Sequence, residues 1–225
     1  METLLHYLDI NTILMSIWDY QMSYIEFFGT IFNILSVRLV AKNKIANWPI
    51  WLLGVALYIF LFYQIQLYAD LIEQLYFFVT GLYGRWIRAN IGKQQHKEDD
   101  ISHLSKSQRI NTIVILTLGT IGLWYITSHL HIRLPTYFTQ PATFVALDAF
   151  TTVLSFIATM LLVRKKIEAR YLWILVDIIG IRLYYAKGVQ FIAAEYVLFL
   201  ILATSWLIQW IKLYRKQNHI AKASS

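Results

Sequence analysis

The sequence predicts an all-α membrane protein with seven transmembrane helices, ordered as two parallel three-helix repeats around one linking helix (3+1+3). Composition is the first reason: 58% of the 225 residues are hydrophobic and only 15% are charged, against about 25% charged residues in an ordinary soluble domain. An internal duplication and a regular alternation of basic residues are the second and third reasons. A soluble core of this size could not bury so much apolar surface.

The duplication maps residues 26–88 onto 148–210 without a gap. Equivalent residues stand 122 positions apart, as in the pairs Glu26/Asp148, Thr30/Thr152, Trp51/Trp173, Glu73/Glu195 and Phe77/Phe199. Each copy holds three apolar stretches, which leave the chain on the opposite side of the bilayer, so a second copy in the same orientation requires one linking span. Parallel repeats of this kind place a transporter's substrate site between the two halves, near the middle of the membrane.

The seven predicted spans cover residues 24–41, 49–67, 70–88, 110–130, 143–163, 171–187 and 190–211. The second has no charged residue and is long enough to cross about 30 Å of hydrocarbon at about 1.5 Å per residue. The domain organisation predicted from these spans is a first repeat at 24–88, a cytoplasmic loop at 89–109, the linking helix at 110–130, a second repeat at 143–211 and a cytoplasmic tail at 212–225.

The N-terminal segment 1–23 precedes the first span and contains no Lys or Arg, so the basic region of a cleavable signal peptide is missing. Its apolar stretch at 10–18 is too short to cross a bilayer. We expect this extracytoplasmic segment to lie at the membrane interface or to extend the first helix.

Basic residues follow the first, third, fifth and seventh spans, whereas the opposite ends carry only Arg133 and Lys187. The positive-inside rule therefore predicts a multi-pass membrane protein with the N-terminus outside and the C-terminus in the cytoplasm. This placement assigns the net charge of +7 to membrane topology and not to nucleic-acid binding.

Enzyme chemistry is not predicted. The chain has no cysteine, no Gly-rich phosphate loop and no nucleophile elbow. His129-x-His131 lies on a predicted outer loop without a third ligand, so two interfacial histidines are a better interpretation than a metal site. We therefore expect neither a metal nor a cofactor.

Polar residues within the spans are the candidate functional residues, because polar groups are costly in lipid. The acidic ones are Glu26, Glu73, Asp148, Asp177 and Glu195. The repeat-related pairs Glu26/Asp148 and Glu73/Glu195 have an alternative interpretation as symmetric structural anchors, hydrogen-bonded to Ser, Thr or Trp donors. Asp177 and Gln74 break the symmetry, since their equivalents are Val55 and Tyr196, and a small ligand is itself asymmetric.

Aromatic residues are the second candidate set. Several near span ends, such as Trp48, Trp86 and Trp210, fit the interfacial belt. Trp51, Phe77, Trp173 and Tyr184 fit a stacking site for a flat ring, and a cationic ring would gain about 0.5 to 2 kcal/mol per aromatic face. Arg182 stands about 140° around the helix from Asp177 and is a poor partner, so we expect Asp177 to face the cavity and select positive rings.

The run FYQIQLYADLIEQLYFFVTGLYGRW, with Gln74-x-x-Phe77 and then Gly84, resembles the third-helix signature of the PnuC family of vitamin-precursor transporters. The run DAFTTVLSFIATMLLVRKKIEARYLWILVD resembles the family's fifth and sixth helices. The resemblance implies a SWEET-like fold, facilitated diffusion of nicotinamide riboside, and assembly into trimers. It also implies that a cytosolic kinase phosphorylates the transported compound and so traps it in the cell. It also implies that the Gln74 amide faces the cavity and hydrogen-bonds the substrate.

Two departures from the family pattern leave the substrate open. Riboside-specific members carry Trp after the Gly and again three residues later, where this chain has Arg85 and Arg88. Many members carry Asn in the sixth helix, where this chain has Asp177. Thiamine, the substrate of the related PnuT proteins, is therefore the first alternative. A SWEET-type sugar carrier and a membrane scaffold without transport activity are further alternatives, although the aromatic excess favours a ring-bearing cation.

Overall fold

The computed structural model describes residues 6–17, 20–41, 47–91 and 101–223. Its main elements are seven α-helices, as predicted: α1 (Tyr24–Ala41), α2 (Asn47–Gln64), α3 (Tyr68–Ile91), α4 (Lys106–Arg133), α5 (Val145–Val163), α6 (Glu168–Ala186) and α7 (Gln190–Ala223). Within the described residues, α4, α5 and α7 contain segments long and apolar enough to cross a membrane on their own. The apolar helix α2 is somewhat shorter, and α3 carries two buried acidic residues, Asp70 and Glu73.

The helices pack in pairs that correspond under the 122-residue offset. Helix α1 packs on α2 as α5 packs on α6, and α2 packs on α3 as α6 packs on α7. Between these two groups, α1 contacts α7 and α5 contacts α3. Helix α4 has no counterpart in the duplication; it packs mainly on α5 and contacts α3. Most of its large apolar side chains, such as Ile113 and Leu118, are exposed, which suits a lipid-facing helix.

Equivalent turns join α2 to α3 and α6 to α7. Gln66 has φ 59° and Gly188 has φ 77°, the left-handed conformation that commonly ends a helix. The next N–H in each turn bonds back into the preceding helix, Leu67 to the Phe62 carbonyl and Val189 to the Tyr184 carbonyl, both at 3.0 Å. Glycine adopts this conformation without strain, whereas a glutamine does not.

Carboxylates in the first turns of α1 and α5 cap helices of the opposite group. Glu26 accepts a hydrogen bond from the Phe191 N–H at 3.0 Å, at the start of α7. Asp148 accepts from the Ala69 and Asp70 N–H groups at 3.0 and 3.1 Å, at the start of α3. Both carboxylates are buried. Glu26 and Asp148 are thus structural anchors, as one interpretation predicted, but backbone N–H groups replace the expected Ser, Thr and Trp donors.

An antiparallel hairpin precedes α1, formed by β1 (Ile13–Ile17) and β2 (Tyr20–Ser23). The expectation that this segment extends the first helix is therefore wrong. The hairpin reinforces the Glu26 cap, because the Tyr20 hydroxyl donates to Glu26 and accepts from the Gln190 N–H at 3.1 Å. Burial and the neighbouring Glu26 carboxylate raise the pKa of the Tyr20 hydroxyl, so it remains a hydrogen-bond donor.

Three predicted boundaries differ from the helices. Helix α7 continues to Ala223 through most of the predicted tail, and α4 includes His129 and His131, which were predicted on an outer loop. Residues 92–100 of the predicted cytoplasmic loop lie outside the described residues, and α3 and α4 extend into both ends of it. These differences arise because a helix can continue past the membrane into water. Its backbone hydrogen bonds still form there, and charged residues do not end it.

The last part of the loop before α4 is bound to the start of α6. Glu168 accepts from the Leu104 N–H at 3.1 Å and lies 3.2 Å from His103 Nδ1 and 3.3 Å from Arg109 Nη2. Glu168 precedes the predicted span 171–187. Partial burial acts to raise the pKa of this carboxyl, but the backbone hydrogen bonds and His103 outweigh burial and lower it.

The crossed caps yield a prediction about stability. Asp148→Ala removes the acceptor for two N–H groups of α3 and should lower the free energy of unfolding by about 1 to 2 kcal/mol. Asp148→Asn should retain most of the stability, since asparagine also caps helices. Thermal unfolding of the purified protein in detergent measures both effects.

Thr151→Val is the matched control for this prediction, because, among the described residues, the buried Thr151 hydroxyl bonds to carbonyls of its own helix alone. Equal melting temperatures for Asp148→Ala and Thr151→Val would contradict a capping role for Asp148.

Candidate functional site

A cavity of about 430 Å³ lies between the group α1–α3 and the group α5–α7. Six helices contribute to its wall, and α4 contributes none of the lining residues. These residues are Asn33, Ser36, Val37, Trp51, Val55, Tyr58, Phe62, Glu73, Gln74, Phe77, Thr159, Leu162, Arg170, Trp173, Asp177, Glu195, Tyr196, Phe199, Leu202, Ala203 and Trp206. Aromatic rings and aliphatic side chains dominate, with a few polar groups, a composition typical of small-molecule sites.

The structure brings seven of the eight predicted site residues to this wall: Trp51, Glu73, Gln74, Phe77, Trp173, Asp177 and Glu195. Tyr184 does not line the cavity. It lies behind the wall, where its hydroxyl donates to Asp70 at 2.7 Å and is 3.3 Å from the hydroxyl of Tyr196. Any effect of Tyr184 on a bound molecule would therefore pass through its neighbours in the wall, such as Tyr196 and the stacked ring of Phe62.

The wall is asymmetric where the repeats differ in sequence. Asp177 faces the cavity where its equivalent, Val55, presents an apolar surface, and Gln74 is opposed by its equivalent, Tyr196. Asp177 is 2% exposed, and no hydrogen bond or ion pair of the described residues involves it. Among the described residues, Arg182 therefore does not pair with Asp177, as the sequence predicted. A buried carboxylate without such partners favours a cation in the cavity.

Glu195 is oriented by a hydrogen-bonded chain. The Tyr58 hydroxyl donates to Glu195 Oε2 and is 3.0 Å from the Thr30 hydroxyl. Glu195 Oε1 is buried and has no hydrogen-bond partner among the described residues. Its equivalent, Glu73, has different neighbours, the hydroxyl-bearing residues Ser155 and Thr152.

At one end of the cavity, the lining residue Phe62 packs against its repeat equivalent, Tyr184, which lies behind the wall. Their rings stack with centroids 5.8 Å apart at an interplanar angle of 19°. Both belong to a buried cluster with Ile25, Leu61 and Ile192. We call this the buried end.

The opposite, tryptophan end is formed by Trp51, Trp173 and Trp206, together with Arg170. The Arg170 guanidinium lies 5.0 Å from the ring centroid of Trp206 and 4.6 Å from that of Trp210, both cation–π contacts. Its Nε has no hydrogen-bond partner among the described residues.

Sequence reasoning counted Arg170 among the basic residues that follow the fifth span and did not select Tyr196 as a site residue. It included Tyr58 and Trp206 only in the wider aromatic set. One signal was available: Arg170, Trp173 and Asp177 recur at i, i+3 and i+7, which places them on one helix face. The chain departs from the PnuC signature in the stretch that contains Gly84, Arg85, Trp86 and Arg88. The structure does not describe the side chains of this stretch.

The packing of α6 on α7 depends on Gly180. A Cβ at this position would lie 2.4 and 2.5 Å from the Tyr196 ring atoms Cδ1 and Cε1, so Tyr196 would have to move. Gly180→Ala should lower the free energy of unfolding by about 1 to 3 kcal/mol through overpacking. Thermal unfolding in detergent measures the loss.

Gly122→Ala is the control, since a Cβ there meets nothing within 4 Å. It should leave stability unchanged or raise it slightly, because alanine favours the helix. Equal effects of the two substitutions would show that Tyr196 does not depend on Gly180.

Comparison with known proteins gives concordant results. A family model described as Nicotinamide mononucleotide transporter matches residues 23–212. The nicotinamide riboside transporter PnuC of Escherichia coli (strain K12) is 27% identical over 214 residues, covering 88% of this chain and 90% of the relative. The transporter of the same name from Neisseria mucosa is 26% identical over 207 residues, covering 87% and 75%.

A solved structure, the crystal structure of the vitamin B3 transporter PnuC, shares the fold. The TM-score is 0.59 at 22% sequence identity, and the match covers 86% of this chain and 83% of that one. The resemblance predicted from the third, fifth and sixth helices is thereby confirmed, and because the family model spans most of the chain, the protein belongs to the nicotinamide mononucleotide transporter family.

Proposed function

We propose that this membrane transporter carries nicotinamide riboside by facilitated diffusion. The observation that carries the proposal is the cavity between the two helix groups, whose wall includes the rings of Trp51, Trp173 and Phe77 as well as the carboxylate of Asp177. Nicotinamide riboside is a flat aromatic cation joined to a sugar, so aromatic faces and a buried carboxylate complement its ring. Relatives covering most of this chain are named as transporters of the same compound.

The SWEET-like 3+1+3 arrangement is part of this proposal. Three features support two equivalent halves at 24–88 and 143–211: the corresponding helix pairs, the equivalent turns at Gln66 and Gly188, and the crossed caps of Glu26 and Asp148. Helix α4, with its exposed apolar surface, serves as the linking span. Transport then proceeds by rocking of the halves about the cavity.

Within the cavity, the roles follow from chemistry. Asp177 neutralises the ring cation, and Trp51, Trp173 and Phe77 stack on or enclose the ring. Gln74 offers an amide that matches the carboxamide of the substrate, while Glu73 and Glu195 supply acceptors. Tyr184 supports the wall through Tyr196.

Thiamine is the second candidate, favoured by one observation: Asp177 lacks a hydrogen-bonded or ionic partner among the described residues and would neutralise a thiazolium as well as a pyridinium. A SWEET-type sugar carrier would leave this carboxylate without a charge to pair with. A scaffold without transport activity would show no ligand-dependent stabilisation.

The cellular setting completes the proposal. The positive-inside rule places the N-terminus outside and the C-terminus in the cytoplasm of a bacterial inner membrane. A cytosolic kinase would trap the transported riboside as an anion, and the chain would assemble into trimers as the family resemblance implies.

Facilitated diffusion makes a direct prediction for the purified protein in liposomes. Uptake of nicotinamide riboside should stop when internal and external concentrations are equal, because no coupled energy source drives it. Enclosing a riboside kinase with ATP should allow uptake to continue. Protein-free liposomes are the control.

Accumulation above the external concentration under an imposed proton or sodium gradient, with the membrane potential held at zero, would contradict the proposal and assign a coupling role to Glu73 or Glu195. Uptake of thiamine in place of nicotinamide riboside would identify thiamine as the substrate.

Asp177 provides a second test. Asp177→Asn should lower the affinity for nicotinamide riboside or thiamine about tenfold or more, since a charged contact is replaced by a neutral one. Affinity for neutral ring compounds such as riboflavin should change much less. Titration calorimetry on the purified protein measures each Kd.

Asp148→Asn is the matched control, because it makes the same substitution at a buried aspartate that caps α3 and does not line the cavity. Equal losses for charged and neutral ligands in Asp177→Asn would show that Asp177 has a structural role.

A further inference from the structure

Glu195 is a buried carboxylate whose two oxygens differ in their hydrogen bonding within the described part of the chain. Oε2 accepts from Tyr58, and Oε1 has no hydrogen-bond partner among the described residues. The residue is 2% exposed and lines the cavity. A buried acceptor without a partner is costly, and a ligand that donates a hydrogen bond in the cavity removes that cost.

Tyr58 decides which Glu195 oxygen is available. Its hydroxyl lies between Glu195 and Thr30, at 3.0 Å from the Thr30 hydroxyl, so the tyrosine is held on both sides. The equivalent of Tyr58 in the second repeat is Gly180, so Glu73 has no corresponding tyrosine. The two glutamates, equivalent in sequence, are therefore supported differently.

Glu195 lies nearer the buried end than Asp177 does. Gly180 packs against the Tyr196 ring, since a Cβ built at Gly180 would lie 2.4 Å from that ring. Tyr196 is the next residue after Glu195, so Glu195 lies close to the level of Gly180. Asp177 precedes Gly180 by three residues, which is about 4.5 Å along α6, towards the tryptophan end. Consider a ligand ring bound at Asp177 and Trp173. A substituent of this ring that points towards the buried end would lie within reach of Glu195.

We propose that Glu195 binds the sugar hydroxyls of the transported riboside and that Tyr58 is the positioning residue that directs Glu195 Oε1 into the cavity. This inference rests on the proposed function and adds to it a division of the cavity: the cationic ring is recognised at Asp177 and the sugar at Glu195. The pyridinium nitrogen carries no hydrogen, so the hydroxyls are the donors that a ribosyl group brings to an acceptor.

The test compares two ligands that share the cationic ring. Nicotinamide riboside has the sugar, and 1-methylnicotinamide replaces it with a methyl group. Glu195→Gln should weaken binding of the riboside about tenfold, because a charge-assisted acceptor is lost, and leave binding of 1-methylnicotinamide unchanged. Asp177→Asn is the matched comparison and should weaken binding of both ligands.

Tyr58→Phe is the second variant, since it retains the ring and removes only the hydroxyl that holds Glu195. It should reduce the preference for the riboside over 1-methylnicotinamide without altering affinity for the latter. Thermal unfolding shows that each variant is folded before Kd is measured by calorimetry.

Equal losses for both ligands in Glu195→Gln, or no loss for either, would overturn the assignment of the sugar to Glu195 while leaving nicotinamide riboside as the substrate. Failure of the wild-type protein to bind the riboside would overturn the proposed function itself. An unchanged ligand preference in Tyr58→Phe would overturn the positioning role of Tyr58.

Discussion

Crossed helix capping is the constraint on which the rest of the structure depends. The first N–H groups of a helix have no partner within that helix, and in a bilayer they cannot turn to water. Here Glu26 serves the start of α7 and Asp148 serves the start of α3. Because each carboxylate belongs to the opposite helix group, neither group satisfies its own third helix alone. The same bonds that complete the helices therefore also hold the two groups together, with the starts of α1 and α7 side by side and the starts of α3 and α5 side by side.

The symmetric frame leaves the chemistry of the cavity to positions where the repeats have diverged. Trp51 and Trp173 are alike, as are Phe77 and Phe199, and they give the wall its aromatic character. Asp177 in place of Val55 introduces a charge on one side only. Tyr58 in place of Gly180 orients one of two equivalent glutamates, and the absence of a side chain at Gly180 makes room for the Tyr196 ring. Duplication thus supplies the framework, and single substitutions in one copy make the cavity suitable for an asymmetric ligand.

The two ends of the cavity differ in how they are held. The buried end depends on apolar stacking of Phe62 on Tyr184, supported by the bond from Tyr184 to Asp70. The tryptophan end depends on Arg170 against Trp206 and Trp210. Phe62 and Tyr184 come from opposite helix groups, so their stack joins the two groups. Arg170 and its tryptophans come from α6 and α7 of one group, so this contact, unlike the first, does not join the two groups.

The sequence by itself determined the seven helices and the duplication, because hydropathy and a fixed 122-residue offset are local or periodic properties. It also selected seven of the residues that line the cavity. Asp177 and Gln74 could be selected because each breaks the repeat in a segment where polar residues are costly. Only the tertiary structure decided that Tyr184 lies behind the wall, that Tyr58 reaches a glutamate 137 residues away, and that the segment before α1 folds into a hairpin. Those features depend on which side chains meet across the two halves, and neither hydropathy nor repeat spacing encodes such contacts. The same holds for the Glu195 oxygen that has no hydrogen-bond partner among the described residues, since Tyr58 on α2 sets the orientation of that carboxylate.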